Sequence, residues 1–175
     1  MEAQLASTAT RGSGVWPRIR ATGTRIVATV LETDSRISTT LLRIALAAIL
    51  FPHGAQHALG WFGGYGFGGT HLWMTETLGF PAVLAAAAIA AELLAPIALL
   101  AGAAGRVAAL AVAGIMLGAI KVHAADGFFM NWFGQLPAGA EGFEYHLLVL
   151  AMAVVLVMEG SGALSVDGAL RRRPW

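Results

Sequence analysis

The residues of this chain that could do chemistry stand in segments that otherwise exclude polarity. His53 and His57 lie four positions apart in a largely apolar run, and Glu92 is the sole charge between Pro81 and Ala101. Lys121 and His123 fall near the end of a third apolar run, and Glu141, Glu144 and His146 open a fourth, with Asp126 and Asn131 between them. Two chemistries suit such a set. His53 and His57 with the Glu92 carboxylate form a possible metal trio, since imidazole and carboxylate are the common ligands of zinc and related ions. That signal is weak: HxxxH arises easily, nothing else has strict ligand spacing, and there is no HExxH and no firm metal or haem motif. The same groups suit a quinone pocket better, because a quinone head needs hydrogen-bond donors, a proton acceptor and an apolar slot for its tail. His53, His57 or Lys121 can donate to the carbonyl oxygens, while Glu92 exchanges protons. His123 and His146 complete the candidate ligand-binding set. Each also has a structural reading: a histidine near a membrane interface often serves only as a hydrogen-bonded or snorkelling residue, as expected for His71. Glu92 can be a protonated, hydrogen-bonded carboxyl.

The elements that position these groups follow from composition. The 175 residues are 57% hydrophobic and 12% charged, with a mean hydropathy of +0.70, whereas soluble domains carry about a quarter charged residues. A membrane is the solvent that accepts this excess. The absence of cysteine excludes disulfides, thiolate metal sites and cysteine relays, and with them the quinone-linked disulfide oxidoreductases. A cleavable signal peptide is not expected, because residues 1–36 lack a compact apolar core followed by a small-residue cleavage site.

A membrane helix needs about 20 apolar residues to cross roughly 30 Å of hydrocarbon. Four stretches qualify: Leu41 to Leu59, Pro81 to Ala101, Val107 to Ala124, and Phe143 to Met158, the last being the shortest uninterrupted one. The expected fold is therefore all-α, a four-helix transmembrane bundle over residues 38–168. A basic, loosely amphipathic N-terminal tail or interfacial helix (1–37) precedes it, and a basic tail (169–175) follows. Pro81 suits a first helical turn, Gly60 to Gly69 are expected to break helix, and Gly102 to Gly105 form a turn short enough for antiparallel neighbours. Pro52 is expected to kink the first helix. Gly114 and Gly118 have the spacing that permits close helix contact. Lys121 and His123, two positions apart, face opposite sides of a continuing helix.

Orientation follows from the arginines. Arg11, Arg18, Arg20, Arg25, Arg36 and Arg43 precede or open the first helix, Arg106 follows the second, and Arg171 to Arg173 close the chain, so ten of eleven basic residues share one side. Basic flanks remain cytoplasmic, which puts both termini there, in a bacterial cytoplasmic membrane. The histidines and carboxylates then gather in the outer half, with Trp61, Trp73, Trp132, Phe128 and Phe129 as an outer aromatic belt.

Several motifs recur in an order that resembles the DoxX family of small membrane proteins. They are FPHGAQHALGWFGGYGFGG (Phe51 to Gly69), LGFP (Leu78 to Pro81), Glu92 within AAELLAPIALLAG, Lys121-Val122-His123 with Gly127-Phe128-Phe129, and the closing EGFEYHLLVLAMAVVLVMEGSGALSVD. The resemblance covers about residues 41–168. It implies association with oxidoreductase systems: relatives named DoxD serve in thiosulfate oxidation to quinone, and some DoxX proteins are linked to oxidative-stress defence alongside superoxide dismutase and a sulfurtransferase. It maps the family's HG pair to His53 and Gly54, its helix-two glutamate to Glu92 and its late helix-three histidine to His123. Where relatives commonly carry lysine, this chain has His57, a base that titrates near neutrality.

The leading expectation is a membrane subunit of a redox system that binds a quinone or similar carrier and works with a partner oxidoreductase. Alternatives are a scaffold recruiting soluble oxidative-stress enzymes and a stand-alone quinone-coupled oxidoreductase. The expected partners are the lipid bilayer and a redox protein. Nucleic acid is not among them, and homo-oligomerisation stays open.

Overall fold

A computed structural model describes residues 27–137 and 140–172; much of the basic N-terminal segment (residues 1–26) and Arg173 lie outside the described residues. Among the described residues the chain is helical, with no strand. The principal helices are α1 (Ile37–Leu59), a short α2 (Gly66–Leu72), α3 (Ala82–Ala101), α4 (Gly105–His123), α5 (Glu144–Glu159) and a short α6 (Val166–Arg171). Residues 27–31 form a further helical turn.

Each long helix is apolar along most of its surface, so packing is organised by where side chains are small or complementary. α1 packs on α3, α4 on α5, α3 on α4 and α1 on α5. The core they share contains Leu46, Leu99, Ala109, Val112, Val149 and Leu156, all at most 2% exposed. Many other large apolar residues face outward, such as Val83 (83% exposed) and Leu110 (63%); in water this would be an aggregation surface, whereas in a bilayer it is the contact with lipid. Three helical segments, Ile37–Leu59, Ala82–Ala101 and Gly105–Asp126, are long and apolar enough to cross a membrane.

The structure alters several expectations. α1 begins at Ile37, one turn before Leu41, and continues through Pro52. The glycine-rich run does hold helix: Trp61–Gly63 form a 3-10 turn, and Gly66, Gly68 and Gly69 open α2, which passes into a π-helical turn at Trp73–Thr77. Tertiary contact overrides the weak propensity of glycine here. A Cβ at Gly64 would overlap the backbone of Gln56 on α1, so only glycine lets this segment lie against that helix. Gly114 and Gly118 make no tight helix contact, since a Cβ at either would meet nothing within 4 Å. α5 has 16 residues and falls short of the length that the other three reach.

The end of the bundle that holds the α3–α4 turn is locked by a polar network. Arg43 is 1% exposed. Its guanidinium donates to the carbonyls of Leu99, Leu100 (2.7 Å), Ser161 (2.8 Å) and Leu164 (3.3 Å). It thereby supplies donors to the last carbonyls of α3, where helical partners run out, although that of Leu99 also accepts from the Gly102 amide. Asp167, 2% exposed, does the converse at the start of α4, accepting from the amides of Ala104 (2.8 Å) and Gly105 (2.9 Å) and from the Ser161 hydroxyl (2.7 Å). Arg43 is thus a buried structural cation, and not the solvated flank its place in the charge pattern suggested. Residues 32–36 dock on the same end: Arg106 donates to the Glu32 carbonyl at 2.8 Å, Arg171 to that of Thr33 at 3.0 Å, and Arg36 pairs with Glu159 at 3.0 Å.

Candidate functional site

At the opposite end the four long helices line a partly open cavity of about 740 Å³. Its position follows from one close approach. Gly54 is buried on α1 where a Cβ would overlap the Glu92 carbonyl of α3, so the two backbones touch there. The histidines flanking Gly54 on α1 are thereby brought beside Glu92. His57 Nδ1 lies 2.5 Å from Glu92 Oε2, a pair whose two members come from different helices, 35 residues apart in sequence. His53 stands one turn further into the bundle and lines the same cavity.

α4 and α5 supply the facing wall. His123 and His146 stack with ring centroids 5.0 Å apart and planes 20° from parallel, and His123 Nδ1 lies 3.3 Å from Asp126 Oδ2. The His146 ring lies beside the Phe143 backbone, while one polar atom behind this wall, the Tyr145 hydroxyl, is buried and has no hydrogen-bond partner. Buried polar atoms are rarely left so, and a bound molecule or water is the usual reason. The rest of the lining is apolar, with Trp73, Met74, Leu78 and Phe80 from the α2–α3 connection and mostly alanine and glycine from α3 and α4.

The segment between α4 and α5 covers the cavity's outer end. Two acidic side chains hold it in place: Glu141 accepts from the Asn131 amide (2.8 Å) and Glu144 from the Met130 amide (3.3 Å). Gly142 fits against the Phe129 carbonyl, where any side chain would collide. Met130 and Glu141 reach the cavity; Phe129, Trp132 and Phe133 project outward, 71%, 75% and 88% exposed.

Of the residues singled out from sequence, His53, His57, Glu92, His123 and His146 all line this one cavity. Lys121 is exposed and does not, because its neighbour His123 takes the inward face of α4. His71 lies outside as well, stacked on Phe67 with centroids 5.6 Å apart and bonded to the Ala82 carbonyl at 3.0 Å. Trp73, read from sequence as part of the interfacial belt, lines the cavity. Sequence reasoning missed Tyr145. The available signal was its place in the run Glu144-Tyr145-His146, where a phenol at the start of an apolar helix needs a partner once buried. Among the described residues no three His, Asp or Glu side chains converge as a metal-holding group, the trio of His53, His57 and Glu92 included.

A helical membrane protein with a largely apolar chamber that carries a few ionisable side chains is the class that these features define. Residues 38–132, more than half of the chain, match the DoxX family, and the protein belongs to it. The match ends before α5, so Tyr145 and His146 lie beyond it. No curated protein and no solved structure showed significant similarity to the chain.

Proposed function

We propose that this DoxX protein is an integral subunit of a membrane redox system that holds a quinone or comparable lipophilic electron carrier in the chamber and works with a partner oxidoreductase. The observation that carries this reading is the gathering of His53, the His57–Glu92 pair, His123 and His146 on the wall of one largely apolar cavity. The volume falls within the roughly 300–1,000 Å³ typical of small-molecule sites. The residues fit a quinone head: the histidines of the wall, His53 among them, can bond its oxygens, and the apolar walls accommodate its ring. When bound, a quinone would supply the capacity to take up electrons and protons together. Around it, the chain's own groups hold and move protons. His57 and Glu92 share one at the midpoint of α3, and the His146–His123–Asp126 series leads from the chamber toward the exposed loop end.

In the membrane we place four spans, the fourth being α5. Its 16 residues extend about 24 Å at 1.5 Å per residue, short of a full hydrocarbon thickness, and local thinning of the bilayer makes up the difference. The arginine-rich end then faces the cytoplasm of a bacterial inner membrane and the chamber lies in the outer half.

The test is what the intact protein carries when purified in mild detergent. Quinone found in its lipid extract, and lost in a His53→Ala, His146→Ala double variant that still folds, supports the reading. Wild-type protein that neither retains quinone nor binds added quinone ends it. Unaltered partner recruitment in that variant, together with its loss on deletion of residues 1–37, favours a scaffold instead.

A further inference from the structure

Resting on the quinone reading above, we infer that the ligand's apolar tail lies in, and reaches the chamber through, a slot between α3 and α4 that opens laterally to the bilayer. The two helices are bound tightly at one end only. There the Gly102–Ala104 turn joins them, Arg43 holds the α3 carbonyls and Asp167 holds the α4 amides. Towards the loop end each turns to a different neighbour: α3 is drawn onto α1 at Gly54 and Glu92, and α4 onto α5 through His123 and His146. Between them the cavity wall is built of small side chains, Ala87 and Ala91 on α3 against Gly114, Gly118 and Ala119 on α4.

Three features make this a passage and not merely loose packing. A Cβ at Gly114 or Gly118 would meet nothing within 4 Å, so the glycines border open space. Ala87 and Gly114 are both exposed and both line the cavity, and that cavity is partly open and not sealed within the bundle, so the slot connects the chamber with the outside of the bundle. Finally, the opening lies between two helices long and apolar enough to cross a membrane, where the outside would be hydrocarbon and an apolar chain is the occupant that costs no desolvation of polar groups. A helix from a second copy, about 10 Å across with its side chains, would rest on the rim of such a slot and leave the chamber behind it unfilled.

The experiment fills the slot in the full-length protein in lipid nanodiscs. Gly114→Leu and Gly118→Leu narrow it from α4, and Ala87→Leu narrows it from α3, so that one misfolded variant does not decide the matter. Each is titrated with two benzoquinones of identical head, one bearing a decyl tail and one a methyl group. The expected result is binding of the decyl probe weakened about tenfold or more, with the methyl probe changed less than about twofold. Variants that bind both probes as the wild type does, or lose both equally, overturn the slot while leaving the quinone site standing. Wild-type protein that binds neither probe overturns both. A change in oligomeric mass on filling the slot would assign it to a second copy's helix and also overturn the inference.

Discussion

Gly54 of α1 and Glu92 of α3 stand backbone against backbone, so close that any side chain at 54 would overlap the Glu92 carbonyl. This single approach sets the distance between the two helices at the depth of the chamber, and it is why His57 can reach the Glu92 carboxylate. Gly54→Ala should therefore force the helices apart and destabilise the bundle by about 1–3 kcal/mol, the usual cost of overpacking. Thermal unfolding in detergent would show this as a lowered midpoint, and an unchanged midpoint would mean that the contact is not tight.

The His57–Glu92 pair should behave as one unit. Glu92→Gln and His57→Gln, measured singly and together in a double-mutant cycle of unfolding, should show a coupling of about 0.5–3 kcal/mol, as expected for contacting residues. Additive effects would indicate that the two side chains do not meet.

The network at the other end should be stabilising but separate from the ligand. Asp167→Ala leaves the amides of Ala104 and Gly105 without their acceptor, and should cost roughly 1–3 kcal/mol for the unsatisfied buried groups. Folded Asp167→Ala protein should still bind the methyl-substituted probe. If stability is unaffected, the cap on α4 is not what holds the turn.

Arg43→Lys keeps the charge yet should also destabilise. The ammonium is a point donor, whereas the planar guanidinium spreads its donors over four carbonyls on two separate stretches of chain, a geometry lysine cannot reproduce. Equal unfolding midpoints for the two proteins would argue against that role.

Topology can be read directly because the chain has no cysteine. Single replacements Phe133→Cys, in the exposed loop, and Arg172→Cys, after α6, should react with a membrane-impermeant maleimide from opposite faces, position 133 from outside. Labelling of both from the same face would show that α5 does not cross.

The amino-acid sequence by itself determined the solvent, the limits of the apolar helices to within about a turn, and the residues whose polarity is out of place. These are local properties: a bilayer imposes a length and an apolar content that no neighbour can alter, and a lone charge such as Glu92 shows against any apolar background. Only the tertiary structure decided which of these groups meet. Lys121 and His123 are equivalent as letters, and the packing of α4 on α5 turned the histidine inward. Gly114 and Gly118 have a spacing that permits contact, yet whether a helix lies against them depends on where α3 is held, and Gly54 and the α2–α3 connection hold it elsewhere. Arg43 looked like a flank residue and Asp167 drew no notice, because Leu99 and Gly105, to which they bond, lie more than 50 residues away in the chain. Burial and partnership of this kind belong to pairs of distant segments, and no window of sequence contains both members.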